Sequence, residues 1–187
     1  MSPISPNQIE NVVAFHGHVC PGIAMGIRIA EAALQTLGPR STDEELVCIG
    51  EADFCAVDAI QYLVGCSIGK GNLILRAWGK KAFTFYRRSD GAAYRVAWRS
   101  DYSPDAADRE AQIDAILSDR LEDMLTIKAV TMEQPPKAQV MGSVICAECG
   151  EEVMASKVHW FAGQPYCVPC YQTEENRRAM PMTSTVG

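Results

Sequence analysis

Long apolar segments are absent from this sequence, since no run approaches the roughly 18 to 20 residues needed to cross a bilayer. Residues 1–6 have neither the basic start nor the apolar centre of a secretory signal peptide. A surplus of positive charge is also lacking, because 17 basic residues stand against 23 acidic ones, giving a net charge of −6. These absences argue against a membrane protein and against a general nucleic-acid binder, and they predict a cytoplasmic protein.

Histidine is scarce, and two of the three histidines stand together in the segment His16-Gly-His-Val-Cys20. Residues two apart in extended backbone point to the same side, so His16, His18 and Cys20 are predicted to converge on one point. Pro21 favours the first position of a helix, which places the Cys20 thiol at a helix N-terminus, where a thiolate is stabilised. Such a place suits a metal ion or a reactive cysteine.

Cysteine, in contrast, is abundant, with eight residues in the chain. Disulfides are disfavoured in a reducing compartment, so metal binding or catalysis is the better interpretation. The spacing of a structural zinc site is found in four of them, Cys146, Cys149, Cys167 and Cys170, with 17 residues between the two pairs. A closed four-thiolate site has no open coordination position, so we expect no catalysis there, and we expect His159 to be a surface residue rather than a ligand.

The order of the predicted elements indicates an α+β fold, because the strands run together with helices before and after them. Helices are predicted over residues 7–15, 21–37 and 55–64, with a long one beginning at Ser103. Strands are predicted over residues 46–49, 73–78, 82–87, 92–99 and 127–132. The turns at 79–81 and 89–91 predict antiparallel hairpins.

Two domains are predicted from these patterns. Residues 1–133 form an α+β core domain of mixed helices and an antiparallel sheet, with a His/Cys cleft. Residues 134–141 are a linker, and residues 142–187 form a small four-cysteine zinc finger with a knuckle, a hairpin and a helix that carries ligands, the arrangement called a treble clef. About 40 residues bury too little apolar surface alone, so a bound metal would supply the missing stability.

The candidate cleft site draws on two segments of the chain. His18, Cys20 and Cys55, with His16 in addition, are candidate ligands for a second transition metal, for which zinc is favoured by the nitrogen and sulfur donors. Asp58 follows Cys55 by three residues and lies on the same helical face. Asp58 is a candidate general base, or an orienting partner for a ligand histidine.

Two further polar residues are candidates for the same cleft. Gln61 is a candidate hydrogen-bond donor to a bound carbonyl or carboxylate, and Lys70, in a glycine-rich turn, is a candidate partner for an anionic ligand. Cys48 and Cys66 are interpreted as small buried apolar residues, since free cysteines are usually buried.

Three segments closely resemble the E-subunit family of formylmethanofuran dehydrogenase: Phe15-His-Gly-His-Val-Cys-Pro-Gly-Ile-Ala-Met-Gly-Ile-Arg-Ile-Ala30, Asp53-Phe-Cys-Ala-Val-Asp-Ala-Ile-Gln61 and Gly65-Cys-Ser-Ile-Gly-Lys-Gly-Asn72. The resemblance covers most of residues 7–130. It implies an α+β core, a tendency to dimerise and, in some members, an appended treble-clef zinc finger. It also implies a cleft lined by His18, Cys20 and Cys55 that can hold a metal, with His16 and Asp58 nearby.

The family takes its name from an enzyme complex that reduces carbon dioxide onto methanofuran with a molybdenum or tungsten pterin. This sequence has no iron–sulfur ferredoxin spacing and no recognisable pterin-binding pattern, so electron transfer would take place in other polypeptides. The leading hypothesis is a dimeric, zinc-binding accessory component of this methanogenesis-related oxidoreductase complex. The alternatives are a free-standing zinc-dependent enzyme that uses Asp58, and a regulatory protein that binds partners through the zinc finger.

Overall fold

A computed structural model describes residues 2–40, 43–138 and 141–179 of the chain. It divides the protein into two compact units, Met1–Ala138 and Gln139–Gly187. Within the described residues, every helix is too short or too polar to cross a membrane.

The first unit combines helices with one mixed sheet, which confirms the predicted α+β class. Its described helices are α1 (Pro6–His16), α2 (Pro21–Leu37), α3 (Ala56–Ala59, continued by a π-helical turn over Ile60–Val64), α4 (Arg109–Ser118) and α5 (Leu121–Met124). Its described strands are β1 (Leu46–Gly50), β2 (Leu73–Leu75), β3 (Ala82–Arg87), β4 (Ala93–Trp98) and β5 (Leu125–Ala129). The strand order is β2-β1-β3-β4-β5, with β1 and β2 parallel and the other neighbours antiparallel.

The ends of α1 and α2 are set by local signals in the sequence. Ser5 and Gln8 form a reciprocal capping box, in which the Gln8 N–H donates to the Ser5 hydroxyl and the Ser5 N–H donates to the Gln8 side chain. Gly17 ends α1 with a φ of 91°, a conformation that costs glycine little. Pro21 opens α2 and Gly38 follows its last residue, so the predicted bounds of this helix are confirmed.

The core lies between α2 and one face of the sheet. The buried side chains of α2 pack in one cluster with those of α3, β3 and β4, among them Ile23, Ile27, Ile29, Phe83, Phe85 and Val96. Each large side chain that is removed from water in this way contributes about 1.5–3 kcal/mol. This packing fixes the position of α2, and therefore of the residues that precede it.

The predicted hairpin formed by strands 73–78 and 82–87 is wrong. β2 ends at Leu75 instead of Trp78, and β1 lies between β2 and β3 in the sheet. The chain runs from β1 through α3 to β2, and a helical crossover of this kind joins parallel neighbours. The hairpin of β3 and β4 is confirmed.

The long helix that was predicted to begin at Ser103 is also wrong. α4 begins only after Asp108, whose carboxylate accepts the Ala111 N–H at 2.9 Å and caps the helix. The extended backbone of Asp119 then separates α4 from α5. The last strand runs over Leu125–Ala129 instead of 127–132, because the chain leaves the sheet and Val130 and Met132 pack on its other face.

The second unit consists of two small hairpins and a helix in the described residues. The hairpins are formed by β6 (Ser143–Ile145) with β7 (Glu152–Met154) and by β8 (His159–Phe161) with β9 (Gln164–Tyr166), and α6 (Val168–Ala179) follows. This is the predicted order of knuckle, hairpin and helix.

The face of the sheet away from α2 holds an ion pair between Glu51 and Arg95. Glu51 is only 5% exposed, and Nε and Nη2 of Arg95 donate to its two carboxylate oxygens at 2.6 and 2.8 Å. The hydrogen bonds from Arg95 hold the pKa of Glu51 below its usual range, although burial acts in the opposite direction. The folded state therefore favours the ionised carboxylate.

Replacing Glu51 with Gln should lower the free energy of unfolding near neutral pH by about 1–3 kcal/mol, because Arg95 loses its charged partner. The unfolded chain takes up a proton at the ordinary glutamate pKa of about 4.3. The contribution of the pair is thus present above that pH and is lost as the pH falls through the lower folded-state pKa. Urea unfolding between about pH 3 and pH 7 should therefore give a flatter profile for Glu51→Gln than for the wild type.

The matched control is Asp101→Asn. Asp101 accepts the same two-pronged contact from Arg99, at 3.0 and 2.6 Å, but is exposed, so solvent screens the pair and a smaller effect is expected. Parallel profiles for the wild type and Glu51→Gln would contradict the assigned role of Glu51.

Candidate functional site

His16, His18 and Cys20 come together where α1 ends and α2 begins. One ligand atom from each of these residues lies within 4.8 Å of the others. The reason is not the extended backbone predicted from the spacing, since His16 is the last residue of α1. The chain reverses at the left-handed Gly17, and this turn brings His18 beside His16, with 4.6 Å between the ring centroids.

Asp58 of α3 fixes the orientation of the His16 ring. The His16 Nδ1 lies 2.8 Å from a carboxylate oxygen of Asp58, and its Nε2 lies 3.8 Å from the Cys20 Sγ. With Nδ1–H donating to Asp58, the lone pair of Nε2 is directed toward the thiol side of the cluster. The hydrogen bond with Asp58 raises the pKa of His16, while burial opposes the shift. In many metal sites, a histidine ligand donates its other ring N–H to a carboxylate, and this hydrogen bond fixes the tautomer and orientation of the ring.

Cys20 is the buried member of the cluster, at 4% exposed, and its Sγ accepts the Ile23 N–H at 3.4 Å as the cap of α2. Burial raises the pKa of the Cys20 thiol, but hydrogen bonds from the Ile23 N–H, Cys55 and His16 outweigh it, so the pKa is lowered overall. The position agrees with the predicted stabilisation of a thiolate at this helix N-terminus.

Cys55 lies beside Cys20 but does not join the group of three ligand atoms among the described residues. Both sulfur atoms lie near Gly22, which has no side chain. A Cβ added at Gly22 would lie 3.3 Å from the Cys55 Sγ and 3.7 Å from the Cys20 Sγ. Burial, followed by the hydrogen bond with Cys20, raises the pKa of Cys55. The geometry therefore favours His16 over Cys55 as the third ligand with His18 and Cys20.

Gln61 and Lys70 are placed with other partners. The side-chain oxygen of Gln61 accepts the Ile68 N–H at 3.4 Å, and the Lys70 Nζ donates to the Asp43 carbonyl at 3.4 Å. Asp58, Gln61 and Lys70 were all predicted to lie at the cleft. Asp58 contacts His16 there, whereas Gln61 and Lys70 contact other parts of the backbone.

Cys48 and Cys66 are fully buried, as predicted. The Cys66 thiol donates to the Leu46 carbonyl at 3.4 Å, and burial raises its pKa to about 12. Burial likewise raises the pKa of Cys48 far above its ordinary value. Both therefore remain neutral thiols in the core.

The cluster opens to solvent on the His18 side. His18 and Val19 border a groove with a volume of about 570 Å³, and Arg109 and Ile113 of α4 form its opposite wall. No sequence signal pointed to these α4 residues, because the helix reaches the site only through its packing on α2. The groove gives a small molecule access to His18.

Two glycines of α2 were also missed as site-forming residues. A Cβ at Gly26 would lie 2.6 Å from the Ala56 Cα and 2.8 Å from the Ala59 Cβ, and one at Gly22 would lie 2.9 Å from the Cys55 Cβ. Residues four apart lie on the same helical face, so the Gly22/Gly26 spacing was a usable signal of close helix packing.

The second unit brings four sulfur atoms together, those of Cys146, Cys149, Cys167 and Cys170, all within 4.8 Å of one another. The Cys167 N–H donates to the Cys146 Sγ at 3.3 Å. Backbone hydrogen bonds from Cys149 and then Cys167 lower the pKa of Cys146 to about 6.

Several thiolates this close repel one another unless a cation lies between them, so the donor set fits a tetrahedral zinc ion. His159 is exposed and stacks on Tyr171 with 4.5 Å between the centroids, which confirms that it is a surface residue.

Comparison with protein-family models identifies the family of this chain. A family model described as FmdE, molybdenum formylmethanofuran dehydrogenase operon, matches residues 15–134. A probable S-adenosyl-L-methionine-binding protein of Archaeoglobus fulgidus is 38% identical over 87 residues, which are 44% of this chain and 24% of that protein. The chain thus spans about a quarter of the length of this relative.

A solved structure shares the fold. It is the crystal structure of a tungsten formylmethanofuran dehydrogenase FmdE-like protein from Syntrophus aciditrophicus, with a TM-score of 0.69 at 22% identity. The similarity covers 89% of this chain and 91% of that chain. Since the matching family model extends over more than half of the 187 residues, this protein belongs to the FmdE family.

Proposed function

We propose that this chain is a zinc-binding accessory component of one-carbon metabolism in which formylmethanofuran is formed from carbon dioxide. In this proposal, the cleft holds a transition metal, zinc first, and the second unit holds a structural zinc. The observation that supports the cleft site most directly is the convergence of His16, His18 and Cys20, with Asp58 supporting His16 from behind.

The assigned ligand atoms follow from the contacts of each residue. His16 contributes Nε2, because Asp58 engages its Nδ1, and Cys20 contributes its thiolate. His18 completes the set from the exposed side of the cluster. Three protein ligands leave a fourth position for water or a small ligand, and zinc at such a position supplies Lewis acidity. Of the three residues, His18 borders the groove beside Val19, through which a small ligand would approach a bound metal.

Family membership supports the accessory role. The chain has no recognisable motif for a redox cofactor, so its contribution to such a complex would be metal binding and docking. The second unit offers a surface for a partner protein, since the apolar side chains of Ile145, Met154 and Trp160 are 53–65% exposed.

The groove beside His18 favours a second candidate, a free-standing zinc-dependent enzyme. A volume of about 570 Å³ suits a small organic substrate, and Arg109 offers a cation to its polar end. Asp58 was predicted as the general base of such an enzyme. The Asp58 carboxylate contacts His16, and this contact favours a role in orienting a metal ligand over a role as general base.

Metal counting tests both zinc sites. The wild-type chain should bind two equivalents of zinc, measured by elemental analysis after dialysis against a buffer that contains trace zinc. Cys20→Ser should lose one equivalent, and Cys146→Ser should lose the other, because each removes a thiolate ligand. His159→Ala is the matched control and should keep both. A wild-type chain with one equivalent, lost only in Cys146→Ser, would refute the cleft site.

Asp58→Asn should lower the affinity of the cleft for zinc by about 10–100-fold, because the amide no longer fixes the tautomer and orientation of His16. Competition with a chelating dye measures the two affinities separately, and the four-cysteine site serves as an internal reference. Asp53→Asn replaces an exposed carboxylate in the loop before α3 and should leave both affinities unchanged. An unaltered cleft affinity in Asp58→Asn would remove the assigned role of Asp58.

Affinity purification distinguishes the accessory role from the free-standing enzyme. A tagged chain expressed in its native cells should co-purify with a large subunit that contains a molybdenum or tungsten pterin, identified by mass spectrometry and metal analysis. Replacing Trp160 with Ser should weaken this association if the second unit forms the contact. Recovery of the chain without any pterin-containing protein would favour the free-standing enzyme.

A further inference from the structure

A pocket on the face of the sheet away from α2 is used by neither of the proposed zinc sites. Its volume is about 530 Å³, which lies within the range of small-molecule sites. Ile49, Ile74 and Thr84, which lie next to one another in register on β1, β2 and β3, form its floor. The chain that follows β5, residues 130–136, forms a wall. This outer pocket therefore lies wholly within the first unit.

The wall of the outer pocket is held in place by Arg88. The side chain of Arg88 is only 7% exposed, and its Nη1 and Nη2 donate to the carbonyls of Pro135 and Pro136 at 2.6 and 3.0 Å. Its Nε donates to the Glu44 carbonyl at 2.8 Å, which ties the wall to the segment that leads into β1. The two prolines restrict the backbone of the wall further. The pocket is therefore largely formed without a ligand, as is usual for small-molecule sites.

The loop that follows β2 lines the pocket with Arg76 and Trp78. This loop is fixed to the end of β1, since the Arg76 N–H donates to the Gly50 carbonyl at 2.8 Å. The N–H groups of Trp78 and Lys80 both donate to the Glu51 carbonyl at 3.2 Å. The Arg76 guanidinium lies over the Trp78 ring, 4.9 Å from its centroid, so each side chain restrains the other. Trp78 is nevertheless 56% exposed, which leaves aromatic surface for a ligand.

The charges around the outer pocket favour an anionic ligand. Within the part of the chain that the structure describes, no carboxylate forms an ion pair with Arg76, so its guanidinium keeps donors for a ligand. The lining contains two carboxylates. That of Glu51 is already neutralised by Arg95, and Glu133 is exposed, where solvent screens its charge. Lys80 adds a second positive charge to the loop of Arg76.

We propose that the outer pocket binds a small aromatic carboxylate. The carboxylate pairs with Arg76, because a guanidinium can donate two parallel hydrogen bonds to it. The aromatic ring lies on the apolar side chains of Ile49 and Ile74 and packs against Trp78, since contacts between rings add to the gain from apolar burial. None of the described residues that line the pocket is a candidate zinc ligand, so the proposal does not depend on either metal site.

Binding can be followed at Trp78 in the full zinc-loaded chain. The sequence has three tryptophans, so isotope labelling of the indole nitrogens gives three N–H resonances, and Trp78→Phe identifies that of Trp78. The probe is naphthylacetate, and naphthylacetamide is its neutral counterpart of similar shape. Naphthylacetate should shift the Trp78 resonance to saturation and leave those of Trp98 and Trp160 in place. It should bind about tenfold more tightly than the amide, because hydrogen bonds to a charged group are the stronger ones.

Two variants and a second ligand make the result specific. Arg76→Gln changes an exposed side chain, so the variant should fold like the wild type, and it should bind the acid and the amide with equal affinity. Arg120→Gln is the matched control, because Arg120 is an exposed arginine that pairs with Glu122 and does not line the pocket. It should keep the tenfold preference for the acid. Octanoate should bind several-fold more weakly than naphthylacetate, since it has no ring to pack on Trp78.

Each of the opposite results would overturn the proposal. Naphthylacetate that binds by calorimetry without moving the Trp78 resonance occupies another place, such as the metal cleft. A preference for the acid that survives in Arg76→Gln removes the role of the guanidinium, and equal affinity for octanoate removes that of the ring. A Trp78 resonance that moves when the protein is diluted, and not when naphthylacetate is added, shows that a second copy of the chain fills the pocket. Absence of binding at millimolar naphthylacetate also rejects the site.

Discussion

The close approach of α2 and α3 is the constraint on which the rest of the cleft depends. At Gly26 the two helices approach so closely that even a methyl group would overlap the backbone of Ala56. Glycine at this position weakens α2 as an isolated helix, and the burial of the helix against the sheet offsets that cost. Because the helices approach here, the first residues of both also meet, and Cys20 therefore lies beside Cys55.

The two candidate zinc sites are built on different physical principles. The cleft residues come from separate elements, α1 and the start of α2 for the ligands and α3 for Asp58, so an apolar core holds them in place. Two of the four cysteines of the second unit lie in the turn between β6 and β7, and the other two lie at the start of α6, among described residues of which few are buried. We therefore expect the second unit to depend on a bound metal for its stability, whereas the core of the first unit is formed by its own apolar side chains.

The sequence predicted which residues form the site, but it predicted their arrangement only in part. The spacing of His16, His18 and Cys20 indicated convergence, although the cause is a helix end and the turn at Gly17. Helical spacing linked Cys55, Asp58 and Gln61, yet only the first two reach the cleft region, because Gln61 turns to the Ile68 backbone. Spacing along a helix states which residues share a face, but not which neighbour that face contacts.

The sequence by itself determined the local features of this protein. Pro21 and Gly38 set the ends of α2, and cysteine spacing predicted the four-cysteine cluster, because these signals act within a few residues of one another. Only the tertiary structure decided that β1 lies between β2 and β3, that His16 pairs with Asp58, and that α4 forms a wall of the groove. These contacts join distant parts of the chain, and they depend on how whole helices pack against the sheet.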